Sequence, residues 1–99
     1  MDQNMSKSKE ILLLHALVSG RVQGVGFRAT VETLALQLAL TGEVRNLPDG
    51  RVEIYAQGSK SQLERLVTLL KSKGLGRVDS IATDFIEPTK SFEIFQITY

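Results

Sequence analysis

The chain contains no cysteine, so disulfides, thiolate nucleophiles and cysteine-based metal sites are excluded outright. Histidine occurs once, at His15, with no second ligand beside it in sequence; a partly buried strand histidine with a hydrogen-bond partner is the expectation there. No apolar run approaches the ~18 residues that a membrane-crossing helix needs. Charge of either sign is also scarce in net terms. Twelve Lys and Arg stand against eleven Asp and Glu, leaving +1, too weak a field to argue for nucleic acid or an acidic membrane as partner. Internal repeats and low-complexity segments are missing as well, which removes solenoids and disordered tracts from consideration.

What is present suits one globular domain. The 99 residues are 42% hydrophobic and 23% charged, enough for roughly 60–70% of the unfolded chain's surface to be buried. Lys7 and Lys9 ahead of Ile11-Leu12-Leu13-Leu14 loosely imitate a signal peptide. Glu10 and His15 interrupt that pattern, and no small-residue cleavage site follows cleanly. The reading is a cytoplasmic, monomeric protein with a flexible tail over residues 1–9 and a domain over 10–99.

Along the domain the hydrophobic period changes several times. Ile11 to Val18 is a short, mostly apolar run ended by Ser-Gly, and is expected to be a central strand. From Phe27 the spacing becomes helical: Phe27, Val31, Leu34, Ala35 and Leu38 share one face, and Thr41-Gly42 is expected to stop the helix. Glu43–Leu47 and Arg51–Gln57 flank Pro48-Asp49-Gly50, a hairpin signal. Within the first arm Val44 and Asn46 share one face, and Glu43 and Arg45 the other. Ser59 and Gln62 read as a capping box for a second helix carrying Leu63, Leu66, Val67 and Leu70, with Lys71 and Lys73 near its negative end and Gly74 at C′. Val78 to Ile86 follows as a strand whose parity breaks at Val78, hinting at a bulge. After Pro88, Phe92 to Tyr99 is apolar and β-branched enough for a short last strand. The order predicts an α+β, ferredoxin-like β-α-β-β-α-β sandwich: an antiparallel sheet with two helices on one face, plus a short C-terminal strand.

The chemistry concentrates in Ser19-Gly20-Arg21-Val22-Gln23-Gly24-Val25-Gly26-Phe27-Arg28, a glycine-rich turn between a strand and a helix start. Glycine lets backbone N–H groups converge on an anion, and the helix N-terminus adds a positive dipole end. The spacing fits neither a Walker A loop nor a dinucleotide fingerprint; by spacing alone, a tight turn that needs glycine for purely structural reasons stays equally open. Arg28 shifts the balance, because a cation in the first helical turn opposes the dipole unless it shares an anion with the amides. Asn46 is the second anomaly. If Val44 faces the helices, a carboxamide does too, and a buried amide without partners costs about 1–3 kcal/mol. A bond to the adjacent turn is one way to satisfy it; a water held near the anion is the other. Position 22, six residues before Arg28, carries valine where a cysteine phosphatase loop would carry its thiolate, so hydrolysis here would use water.

Val18 through Arg28, together with Gly42 and Val44-Arg45-Asn46-Leu47-Pro48-Asp49-Gly50-Arg51-Val52-Glu53, resembles the acylphosphatase family, over a stretch from about Leu14 to Tyr99. The resemblance implies a ferredoxin-like, metal-free and cofactor-free enzyme that hydrolyses the carboxyl–phosphate bond of acyl phosphates. It implies that Arg28 binds the phosphoryl group with the backbone amides of Val22, Gln23, Gly24, Val25, Gly26, Phe27 and Arg28. Asn46 would position the attacking water, with no covalent phosphoenzyme, and the partners would be a small acyl phosphate and inorganic phosphate. Three positions depart from the family's usual pattern: Glu43 in place of an aromatic residue, Ala39 in place of glycine, and Thr98 in place of a basic residue. The competing reading from another class is a ferredoxin-like RNA-binding or phosphate-sensing module without catalysis, against which stand the near-neutral charge and Tyr55 as the only outward aromatic of the hairpin.

Overall fold

Each change of hydrophobic period marks an element in the computed structural model, which describes residues 10–73, 76–88 and 91–99. The elements are β1 (Leu12–Arg21), α1 (Phe27–Gln37), β2 (Thr41–Asn46), β3 (Val52–Gly58), α2 (Lys60–Lys73), β4 (Arg77–Ile86) and β5 (Phe95–Ile97). The strands form one sheet in the order β4-β1-β3-β2-β5. β1 pairs antiparallel with β3 and with β4, and β2 pairs antiparallel with β3. The order and the helices packed on one face are those of the ferredoxin-like fold.

The sheet is nevertheless mixed rather than antiparallel throughout, because β5 runs parallel to β2. The chain leaves β4 at one edge, crosses to the opposite edge, and meets β2 travelling the same way. On the way the Phe92 N–H donates to the Gln57 carboxamide oxygen at 3.2 Å. Only Phe95–Ile97 of the expected Phe92–Tyr99 strand is regular, although Gly42 N–H to Ile94 O and Thr98 N–H to Val44 O, both 2.9 Å, continue the contact at each end.

Alternation and helical spacing deliver the core as expected. Leu14, Ala16 and Val18 of β1, Val44 of β2, and Val52, Ile54 and Ala56 of β3 meet Phe27, Val31 and Ala35 of α1 and Leu63, Leu66 and Leu70 of α2, none more than 1% exposed. At about 25 cal/mol per Å² of apolar surface removed from water, this layer is the main source of stability.

Several local expectations are corrected. β1 continues through Ser19 and Gly20 to Arg21; the bulge sits where Gly20 pairs with Val78 after Ser19 pairs with Ser80, leaving Asp79 as the extra residue beside the parity break. Helix α1 is not stopped by Thr41-Gly42, which already belong to β2. Ala39 ends it instead, in a left-handed conformation with φ 58°. Leu40 N–H to Ala35 O at 2.9 Å and Ala39 N–H to Leu36 O at 3.1 Å complete a Schellman motif on a residue that carries a Cβ. The capping box on α2 is half formed. The Gln62 N–H donates to Ser59 Oγ at 3.4 Å, while the Gln62 side chain reaches across to Leu38 O of α1 at 3.2 Å instead of returning to the cap. The tail over 1–9 and the expected C′ glycine at Gly74 lie outside the described residues.

Candidate functional site

The segment after β1 is fixed by what it buries at its ends. Val22 and Phe27 both enter the core, and Val25 packs against it. Between them Gly24 (φ 77°) and Gly26 (φ 83°) are left-handed, conformations that cost an L-residue about 1–2 kcal/mol. Nothing lies within 4 Å of where a Cβ on Gly24 would project, so that position requires glycine for its dihedral rather than for room. Gln23 holds the turn from outside: its side-chain amide donates to Leu47 O and to Arg51 O, each at 2.9 Å. Those two bonds fasten the segment to the ends of β2 and β3, the neighbouring hairpin.

Gly26 is the N-cap of α1, with no side-chain capping bond and no acidic residue in the first turn. The first N–H groups of the helix are thus without side-chain partners, and the positive end of the dipole is uncompensated from within the chain. Arg28 adds a cation at that end. Its guanidinium lies over the Tyr99 ring, 5.1 Å from the centroid, and no carboxylate pairs with it among the described residues. This cation–π contact uses none of the guanidinium N–H groups as a salt-bridge donor and leaves them for a forked acceptor such as phosphate. Tyr99 itself is 95% exposed, so the contact steadies Arg28 without burying it.

Asn46 closes the far side. Its strand parity with Val44 carries it to the helix side of the sheet, and its Oδ1 is sealed from solvent with no hydrogen-bond partner. The adjacent turn does not satisfy it, because its N–H donors are used elsewhere: Leu47 N–H on Arg51 O, Gly50 N–H on Leu47 O and Arg51 N–H on Asp49 Oδ1. An unpaired buried acceptor costs about 1–3 kcal/mol. Arg28 and Asn46 line one cavity of about 160 Å³, walled also by Val22, Gly24, Gly26 and Phe27.

Of the loop residues singled out from the sequence, Gln23 and Val25 do not line this cavity; one ties the loop down and the other packs beneath it. Two wall residues, Ala29 and Ile97, were not foreseen. Ala29 is simply the next residue of the helical turn after Arg28. Ile97 arrives through the parallel pairing of β5 with β2, which no local pattern announces. Tyr99 was equally silent as a partner for Arg28.

The opposite face of the same hairpin carries a complete polar network. Glu53 accepts from His15 Nε2 and from Arg45 Nε, both at 2.8 Å, and the rings of His15 and Tyr55 lie 4.6 Å apart. Burial alone pushes the Glu53 carboxyl up, but the His15 and Arg45 hydrogen bonds outweigh it and hold the group below its ordinary value. At the turn, the Arg51 side chain lowers the Asp49 carboxyl in the same way.

Comparison with known proteins places these features in a family. A family-wide sequence profile described as Acylphosphatase matches residues 14–97. An acylphosphatase of Mycolicibacterium vanbaalenii is 48% identical over 83 residues, covering 83% of this chain and 89% of that protein. One from Thermobifida fusca is 47% identical over 88 residues, covering 88% and 97%. The crystal structure of the Bacillus subtilis acylphosphatase superposes with a TM-score of 0.85 at 38% identity, over 89% of this chain and 99% of that one.

Proposed function

This chain belongs to the acylphosphatase family, and we propose that it hydrolyses acyl phosphates by direct attack of water on phosphorus, with Arg28 and the loop amides holding the phosphoryl group and Asn46 holding the water. The orphaned Asn46 oxygen carries this reading. Oδ1 is an acceptor and nothing else, so its missing partner must donate a proton. A phosphoryl dianion has none to give, whereas a water in the cavity, once the carboxamide turns its closed-off Oδ1 toward it, donates one O–H to that oxygen and turns a lone pair toward phosphorus. Arg28 and the N–H groups from Val22 to Arg28 are the complement: donors only, matched to the equatorial oxygens of the phosphoryl group.

In the step itself the water oxygen bonds to phosphorus as the bond from phosphorus to the acyl oxygen breaks. The electron pair of that bond leaves on the carboxylate, and a non-bridging phosphate oxygen takes the water's proton. Acyl phosphate and water become carboxylate and inorganic phosphate, with no covalent phosphoenzyme between them. A carboxylate leaves readily, so no general acid is required, and none of the cavity residues is one. Positioning and electrostatic stabilisation supply the catalysis. The working unit in this reading is a monomer acting in the cytoplasm on a small acyl phosphate.

Hydrolysis of benzoyl phosphate in heavy-oxygen water tests the route. The label should appear in inorganic phosphate and not in benzoate, and inorganic phosphate should inhibit competitively. Label in benzoate means attack at the carbonyl carbon and overturns the reading.

A further inference from the structure

A second, wider depression of about 350 Å³ adjoins the cavity that Arg28 and Asn46 share. The two have Gly26 and Ala29 in common; from there the second continues along Thr30, Thr33, Leu34 and Gln37. Steps of three and four residues make this one stripe on α1. The lining carries no charged side chain, and its exposed surface is predominantly apolar. Arg28 and Asn46 border the first cavity and not the second.

In-line displacement requires the leaving oxygen to depart on the side of phosphorus away from the attacking water. Asn46, which would hold the water, stands on β2 and borders only the first cavity, while the groove continues from Ala29 along α1 without touching Asn46. We propose that this groove receives the acyl group of the substrate and sets a preference for acyl phosphates bearing an apolar ring or chain. The inference rests on the cavity being the phosphoryl site.

Dimensions turn this into a graded expectation. With a rise of 1.5 Å per residue, Thr33 lies about 6 Å and Gln37 about 12 Å along the axis from Ala29. An acetyl methyl ends beside Ala29, a benzoyl ring extends to Thr33, and a hexanoyl chain continues toward Leu34 and Gln37. A succinyl group would set a carboxylate against that stripe with no cation to meet it.

The test is kcat/KM for acetyl, butyryl, hexanoyl, benzoyl and succinyl phosphate with the wild-type enzyme and with Thr33→Glu and Thr33→Leu, an exposed position outside the catalytic cavity. For the wild type kcat/KM should climb about twofold to fourfold per methylene from acetyl to hexanoyl, and succinyl phosphate should fall below butyryl phosphate. Thr33→Glu should lower the benzoyl and hexanoyl values at least about fivefold through KM, leave acetyl phosphate within about twofold, and leave inhibition by inorganic phosphate unchanged. Thr33→Leu should raise the hexanoyl value. A wild-type series that is flat while hydrolysis proceeds overturns the groove alone, as does a Thr33→Glu enzyme that loses acetyl and benzoyl phosphate equally. If no acyl phosphate is hydrolysed and inorganic phosphate does not bind, the reading of the cavity falls, and the groove with it.

Discussion

On the outer face of the β2–β3 hairpin, Glu53 accepts two hydrogen bonds of 2.8 Å, from His15 and Arg45. On the inner face, one residue along from Arg45, Asn46 keeps a buried oxygen with no partner at all. Both groups are largely removed from water, the Glu53 side chain being 12% exposed. Folding therefore had the same reason to satisfy each, and satisfied only one. Polar groups that serve the fold find their partners within it; a buried group left open beside a cation and an uncapped helix is held for something that comes from outside.

The same contrast separates Arg45 from Arg28. Arg45 is paired with a carboxylate, whereas Arg28 has an aromatic face behind it and its fork unoccupied among the described residues. Replacing Arg28 should therefore have the largest effect of any change considered. Arg28→Ala would remove the two charge-assisted bonds proposed to the phosphoryl group, about 1.5–3 kcal/mol each, which corresponds to an expected loss of roughly 10²–10⁴-fold in kcat/KM and a parallel weakening of phosphate inhibition. Steady-state hydrolysis of benzoyl phosphate reads both. Thermal stability should hardly change, since a cation is removed from the positive end of α1.

Glu53→Ala should do the reverse. It strands His15 and Arg45 without their acceptor and should cost about 1–2 kcal/mol in denaturant unfolding while kcat stays within about twofold. A pH series sharpens this. Folding lowers the Glu53 carboxyl from its ordinary 4.5, so on acidification the unfolded chain takes up that proton first. The stabilisation is full above about pH 4.5 and is lost as the pH falls through the folded-state value. The stability gap between wild type and Glu53→Gln should thus hold between about pH 7 and 5 and close below about 4.5; a gap that widens on acidification would contradict the sign.

The smallest effect belongs to a position remote from both faces. Ala39 ends α1 with φ 58°, so Ala39→Gly relieves a left-handed alanine and should raise stability by about 0.5–1 kcal/mol, net of the greater unfolded-state freedom of glycine. Activity should not respond.

How much of this was legible in the sequence follows from the range of the interactions. Strand alternation in β3, the 3–4 spacing of α1 and α2, and the Pro48-Asp49-Gly50 turn depend on near neighbours and could be read directly. The parity break at Val78 marked the bulge to within a residue. Arg28 and Asn46 stood out because each violates a local rule, one against a helix dipole and one on an apolar strand face. Nothing local marks the crossing that brings β5 alongside β2, so Ile97 and Tyr99 were invisible as neighbours of the cavity. Gln62 was misjudged for a related reason: its carboxamide bonds to a carbonyl 24 residues away, a long-range partner that displaced the local cap. The side-chain bonds of Gln23, to carbonyls 24 and 28 residues away, were not foreseen. The end of α1 was misplaced because glycine was expected where alanine accepts the strain.

The central claim is that Asn46 is unsatisfied within the fold because it serves a water that attacks phosphorus. Asn46→Ala tests it in one variant, by measuring kcat for benzoyl phosphate, the inhibition constant for inorganic phosphate and the unfolding free energy together. We expect kcat to fall about 10²-fold or more, phosphate inhibition to stay within about threefold, and stability to hold or to rise by about 1 kcal/mol as the orphaned acceptor disappears. An enzyme that keeps its turnover while losing stability would show that Asn46 belongs to the scaffold, and would contradict the account.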